Sequence, residues 1–185
     1  MDNGASSYRR FLEGDDRGLA DLIEEYRMPL QMFLYSLTGN NETAEDAAIE
    51  TFVKLATKKP KYNGKASFKT WLFGIGRNIA VDILRKAKRH YTENLEDAEN
   101  TAVDTEHSPE EMYIKEERSC QLLVSMKKLK SEYYSVLWLR YFENLQVKEI
   151  AAVMRKSEGN IKVLLGRARE ALKVQLGKDG FEYEN

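Results

Sequence analysis

The chain has 185 residues, 42% of them hydrophobic, and a net charge of −1, enough for one medium domain or two small ones. Glycine and proline are sparse, which favours helical globular structure over disorder, and the single cysteine, Cys120, excludes an intramolecular disulfide and suits a reducing compartment. No run approaches membrane-spanning length and the N-terminus lacks an apolar signal core, so direct membrane insertion is not expected and the cytoplasm is the expected location.

The near-zero charge conceals alternating blocks. Residues 1–53 carry about −7, Lys54 to Tyr91 about +10, Thr92 to Arg118 about −8, and residues 148–173 are basic again. Blocks of this size point to separate surfaces for separate partners.

In chain order, Leu19, Leu22, Ile23, Tyr26, Leu30, Phe33, Leu34 and Leu37 have helical spacing. Pro29 interrupts them and predicts a kink or a junction of two helices. A second helix is expected from about Glu42 to Thr57, burying Ala44, Ala47, Ala48, Phe52, Leu55 and Ala56 and turning Glu45, Asp46 and Glu50 outward. Those acids either complement the helix dipole or form a docking face for a basic partner.

The basic block is the most informative stretch. Its eleven bases, with Asp82 the one acid, are interleaved with Tyr62, Phe68, Trp71 and Phe73. Cations track a phosphate backbone, and exposed aromatic faces accept unstacked bases. Pro60 to Lys65 has turn chemistry, with Asn63-Gly64 tolerating positive φ. In the helix that follows, Phe68, Leu72, Ile75, Ile79 and Ile83 form the expected core stripe. Trp71, Asn78, Asp82, Arg85 and Arg89 share the adjacent flank, where they could stack on bases, bond to their edges and hold phosphates.

Residues 92–107 have few large apolar groups and no sustained period, as expected of a flexible acidic linker. Ser108-Pro109-Glu110-Glu111 is a helix-start signature. One helix is then expected to carry Met112, Leu122, Leu123 and Met126. Another, capped by Ser131, carries Val136, Leu137, Trp138 and Phe142. A short helix with Val147, Ile150, Ala151 and Met154, a turn at Arg155-Lys156-Ser157 and a basic helix with Ile161, Leu165, Ala168 and Leu172 inward make a helix-turn-helix. Ser157 is its expected N-cap. Asn160, Lys162, Arg167 and Arg169 stay accessible to phosphates and major-groove edges.

Catalytic chemistry has no candidates. His90 and His107 have no metal-ligand partners at suitable spacing, no nucleotide or nucleophile motif occurs, and Gly74 and Gly76 sit within a helix pattern. No cofactor is expected.

Two stretches, Ala44 to Arg89 and Leu129 to Leu172, resemble the bacterial extracytoplasmic-function (group 4) sigma factors of the sigma-70 family. SFKTWLFGIGRNIAVDILRK is the most specific part. The resemblance implies an all-α fold of two small helical domains joined by a flexible acidic linker, the C-terminal one a helix-turn-helix. The expected limits are 1–91, a linker at 92–108, 109–177, and a flexible tail at 178–185. It implies a non-catalytic specificity subunit of core RNA polymerase that recognises −10 and −35 promoter elements and promotes melting.

By the same resemblance, Glu45, Asp46 and Glu50 dock on the β′ clamp helices. Recognition and melting of the −10 element fall to Lys61, Tyr62, Asn63, Lys65, Ser67, Lys69, Trp71, Arg77, Asn78, Asp82 and Arg85, with capture of a flipped non-template base. Recognition of the −35 element falls to Lys156, Ser157, Glu158, Asn160, Lys162, Arg167 and Arg169. The C-terminal domain binds the β flap, the linker occupies the active-site cleft and RNA exit path, and an anti-sigma factor is an expected partner.

The chain departs from the family pattern at Ile49, where a glutamine is usual, and at Lys130, where Leu-Pro normally leads into the central helix. Its turn, Met154 to Ser157, differs from the usual Leu-Gly-Ile-Ser, and Val163, Leu164 and Gly166 replace the usual Ser-Arg and His. Departures at the recognition helix predict an unusual −35 preference, whereas the −10 reader keeps the pattern throughout. Two other functions fit parts of the chain: a self-sufficient helix-turn-helix regulator, which would bind duplex tightly without polymerase, and a single-strand chaperone, which would show little sequence preference.

Overall fold

The computed structural model describes residues 3–93 and 117–181, and side chains over 4–89 and 121–181. Among the described residues all regular structure is helical, and none of the helices is long and apolar enough to cross a membrane. The chain divides into two compact units, Met1–Asp104 and Thr105–Asn185. Most of the expected linker, the helix start at Ser108 and the position of Met112 lie outside the described residues.

The first unit contains α1 (Asn3–Leu12), α2 (Arg17–Thr38), α3 (Asn41–Lys58) and α4 (Phe68–Glu93). Its core is the meeting of α2, α3 and α4. Leu22, Leu30, Phe33 and Leu34 of α2 pack with Ala44, Ala47, Ala48 and Leu55 of α3 and with Phe68, Leu72 and Phe73 of α4, all essentially inaccessible to water. The alanines of α3 allow that close approach. Phe33 and Phe73 stack with ring centroids 5.5 Å apart.

Pro29 does not divide α2, which runs through it as one helix. A proline inside a helix costs about 3 kcal/mol. Burying each of Leu22, Leu30, Phe33 and Leu34 stabilises by roughly 1.5–3 kcal/mol, so their shared stripe holds the helix together. Asn40 caps α3, its side chain accepting the Thr43 backbone N–H at 2.8 Å, so the helix starts at Asn41, one residue earlier than the spacing indicated.

Helix α1 is absent from the sequence-based expectation. It buries Tyr8 and Phe11 and lies against α2 and α4. Gly4 permits this: a Cβ there would stand 2.4 Å from the Phe68 ring, which is fully buried and cannot yield.

The second unit contains α5 (Glu117–Lys127), α6 (Ser131–Leu137) continuing into a π-helical turn (Trp138–Phe142), α7 (Val147–Met154) and α8 (Glu158–Lys178). Leu123, Met126, Val136, Leu137, Trp138, Ile150, Val153, Met154, Ile161, Leu165 and Ala168 form its core. Ser131 is the first residue of α6, with Lys130 in the cap position and no side-chain cap bond. Arg155 takes a left-handed φ of 53° after α7, and Ser157 caps α8 by accepting the Asn160 N–H at 3.2 Å. The helix-turn-helix is therefore α7, the turn and α8. Of the expected tail, residues 178–181 are described: Asp179 bonds to Ser125 at 2.6 Å and to Lys128 at 2.7 Å. Residues 182–185 lie outside.

Candidate nucleic-acid interface

The loop between α3 and α4 begins at Lys59, whose φ of 42° turns the chain out of α3. Gly64 takes a φ of 70°, a conformation that costs glycine little, and the Asn63 side chain accepts the Lys65 N–H at 3.0 Å. The expected Asn-Gly turn is thus present, and it leaves Lys61, Asn63, Gly64 and Lys65 exposed.

Two of the four aromatics in the basic block are core. Phe68 is fully buried, as its place in the core stripe indicated, and Phe73 is fully buried as well, which removes it from the base-accepting candidates, while Ile75 is only half-buried. The buried arc of α4 is wider than the stripe of Phe68, Leu72, Ile75, Ile79 and Ile83, because two neighbouring helices pack on it.

Tyr62 and Trp71 are half-buried and belong together. Their ring centroids are 5.2 Å apart, and Trp71 also meets Phe68 at 5.4 Å and Tyr8 at 5.4 Å. Aromatic pairs at such separations add about 0.5–1.5 kcal/mol each beyond area burial. Trp71 is therefore fixed on three sides with part of its surface open. The Tyr62 hydroxyl donates to the Ala66 carbonyl, bracing the loop from within. Burial pushes the Tyr8 phenol up to about 12, and its hydroxyl donates to the Pro60 carbonyl at 2.8 Å.

Along the flank, Asn78 is half-buried, while Asp82, Arg85 and Arg89 are exposed. Arg85 donates to Asp82 at 3.3 Å one turn away, so carboxylate and guanidinium hold each other in register. Trp71, Asn78, Asp82 and Arg85 share one flank of α4, as the spacing indicated, spread over about 21 Å of its length. Ser67 has another occupation: its hydroxyl stands at the start of α4, accepting the Thr70 N–H at 3.3 Å and meeting the Thr70 hydroxyl at 2.7 Å. Lys69 and Arg77 are half-buried and lie about 160° and 120° around the helix from Trp71. They do not join that flank.

On α3, Glu45 bonds to Arg27 at 3.0 Å, whereas Asp46 and Glu50 remain exposed. Ile49 and Val53 are also exposed, at 49% and 50%, and with Leu19, Ile23 and Phe52 they line a groove of about 390 Å³ between α2 and α3. This face is apolar with an acidic border.

In the helix-turn-helix, Asn160, Lys162 and Arg167 are exposed on α8, as is Glu158 in its first turn. Lys156 is held by Glu132 of α6 at 3.0 Å. Ser157 serves as the cap. Arg169 donates to its own helix at the Leu165 carbonyl, at 3.3 Å, and borders a groove with Leu137, Tyr141, Leu172 and Leu176. It lies about 160° around α8 from Arg167, so the two arginines serve different faces.

The sequence pattern of Sigma-70 region 2 matches residues 22–90, and that of Sigma-70 region 4 matches residues 121–172. The ECF RNA polymerase sigma factor SigW of Bacillus subtilis is 30% identical over 172 residues, covering 89% of this chain and 91% of that protein. The chain belongs to the extracytoplasmic-function sigma factors of the sigma-70 family. The B. subtilis ECF sigma factor SigM is 32% identical to this sigma factor, over 83% of this chain and 92% of SigM. The fold is shared with CnrH, solved with the cytosolic domain of CnrY, at a TM-score of 0.62, 20% identity and 96% coverage of both chains. It is also shared with the sigma factor RpoE of Bartonella quintana, solved with the anti-sigma factor NepR, at a TM-score of 0.63 and 23% identity, over 85% of this chain and 97% of that one. This sigma factor is thus an alternative sigma factor for transcription initiation, and its two matched segments fall one in each compact unit.

Proposed function

We propose that this sigma factor, acting in the cytoplasm as a non-catalytic subunit of RNA polymerase, reads a −10 element with the Tyr62–Trp71 surface and a −35 element with α8. Residues 1–91 form the core-docking and melting domain, 92–108 the linker, and 109–177 the −35 domain. The observation that carries the melting role is an aromatic pair fixed from three sides but open on the fourth, at the loop of exposed Lys61 and Lys65, with Arg85 and Arg89 exposed further along α4. Extruding a base costs a few kcal/mol. Stacking on an aromatic surface can return about 1–3 kcal/mol per base. A pre-positioned indole delivers that return without ordering itself first.

Asp46 and Glu50, with Ile49 and Val53 between them, form the surface for the β′ clamp helices, and the groove beside Leu137 and Tyr141 receives the β flap. An anti-sigma factor would act by covering one of these faces; RpoE of Bartonella quintana was solved in complex with the anti-sigma factor NepR, and CnrH with the cytosolic domain of CnrY.

Run-off transcription with purified core polymerase on genomic fragments tests the reading. The expected result is initiation at discrete sites, with permanganate-reactive thymines at the −10 position. Charge reversal at Asp46 and Glu50 should weaken core binding without changing the sites chosen. Core enzyme that starts no transcript in the presence of this protein would refute the assignment.

A further inference from the structure

We propose that α1 is a working part of the −10 reader, with Arg9 contacting a phosphate of the displaced strand and Tyr8 positioning the basic loop. The inference rests on the promoter-opening role above, but concerns a helix that precedes the matched region 2 segment, 22–90.

Three contacts join α1 to the reading surface. The Tyr8 hydroxyl donates to the Pro60 carbonyl at 2.8 Å, fixing the base of the loop. The Tyr8 ring meets Trp71 at 5.4 Å. The Lys59 ammonium stands 4.8 Å from the Phe11 ring, within cation–π range. The loop's start and the indole's rear wall are therefore set by one helix.

The same helix faces the loop's tip. Ala5, Arg9 and Leu12 line one side of a cleft of about 330 Å³, and Tyr62, Asn63 and Gly64 line the other. Neighbouring arginines of α1 have different fates. Arg10 is tied to Asp15 and Asp21. Arg9 is exposed, and no side-chain hydrogen bond or ion pair among the described residues engages it. Across the cleft, Asn63 spends its carbonyl oxygen on Lys65 N–H, leaving its amide NH2 to donate, with exposed Lys61 and Lys65 beside it. A guanidinium and an amide donor lining a cleft walled by Tyr8 and Tyr62, with two lysines exposed in the same loop, suit a nucleotide phosphate.

The test uses full-length protein with core polymerase on a promoter fragment chosen by run-off transcription and built as a fork with a single-stranded non-template −10 segment. Binding is measured across a salt series. Arg9→Ala should lower the slope of log K against log salt by about 0.7, the value for one single-strand phosphate, and Arg9→Lys should restore it. Tyr8→Phe, which keeps the ring and removes the bond to Pro60, should reduce permanganate reactivity in the −10 region with core affinity at the wild-type value. An unchanged slope in Arg9→Ala, or a loss that appears in core binding instead, overturns the Arg9 contact. Wild-type permanganate reactivity in Tyr8→Phe overturns the positioning role. Wild-type holoenzyme that starts no transcript overturns the promoter-opening function itself, which separates the two failures.

Discussion

Two helices carry the proposed reading surfaces, and they are built differently. On α4 the proposed reading group, Trp71, is wedged among Tyr8, Tyr62 and Phe68. On α8 the outward ridge is Gly159, Val163 and Gly166, with Val163 54% exposed. There, side chains project freely from a helix positioned by its buried face, Ile161, Leu165 and Ala168. The difference matches two physical tasks. Prising a base from a stack needs a surface already in place, because every degree of freedom ordered on contact subtracts from a small return. Reading the edges of an intact groove needs only a rigid rod at the right depth.

The sharpest way to break this comparison is to separate fold from function on α4. Phe73→Ala removes the buried ring stacked on Phe33 and should destabilise the first unit by about 3–5 kcal/mol, measured by urea denaturation. Val163→Ala on α8 should stay within about 0.5 kcal/mol, as surface changes do. Trp71→Ala should fall between in stability. Its distinctive effect should be on promoter opening, a loss of about 1–3 kcal/mol per stacked base, read by permanganate footprinting. If Trp71→Ala opened promoters normally, its clamping would be packing alone.

How much of this was legible in the sequence follows from distance along the chain. The helix-turn-helix, the alanine stripe of α3 and the Trp71–Arg89 flank are local periodicities, and each formed as the spacing indicated. Tyr8 left no such trace, because its partners Pro60 and Trp71 lie more than fifty residues away and α1 itself is short and mostly polar. Its signal was Tyr8, Phe11 and Leu12 at helical spacing, a pattern too brief to stand without its tertiary contacts. Phe73 was misassigned for a related reason: it sits beside the expected stripe, and only a second packing helix makes that position core. Ser67 and Ser157, both sequence candidates for DNA contact, proved to be at helix starts, where a hydroxyl satisfies an orphan N–H.

That local role gives a smaller prediction. Ser157→Ala should destabilise the second unit by about 1 kcal/mol through loss of the cap, whereas Ser157→Asp should preserve stability and add a negative charge at the start of α8. If Ser157 acts only as a cap, binding of duplex −35 DNA should follow stability in Ser157→Ala. Weaker binding in both variants at a temperature where both are folded would give the hydroxyl a direct contact.

The other end of α8 supplies the smallest effect and the one most open to titration. Asp179 sits where the helix dipole opposes an anion, yet its carboxyl is lowered from 3.8 to about 2. Lys128 is the main cause, followed by Ser125 and Gln175, which donate to it at 2.7, 2.6 and 3.1 Å respectively. Because the folded value lies below the ordinary one, the carboxylate contributes stability above about pH 4, and that contribution disappears as the pH falls from 3.8 through about 2. Asp179→Asn should therefore lower the melting temperature at neutral pH, with the gap from wild type closing across that acid window. A gap that persisted unchanged down to pH 2 would mean that shape and neutral hydrogen bonds, not charge, join the end of α8 to α5. Helix α8 would then owe its position to packing along its whole length.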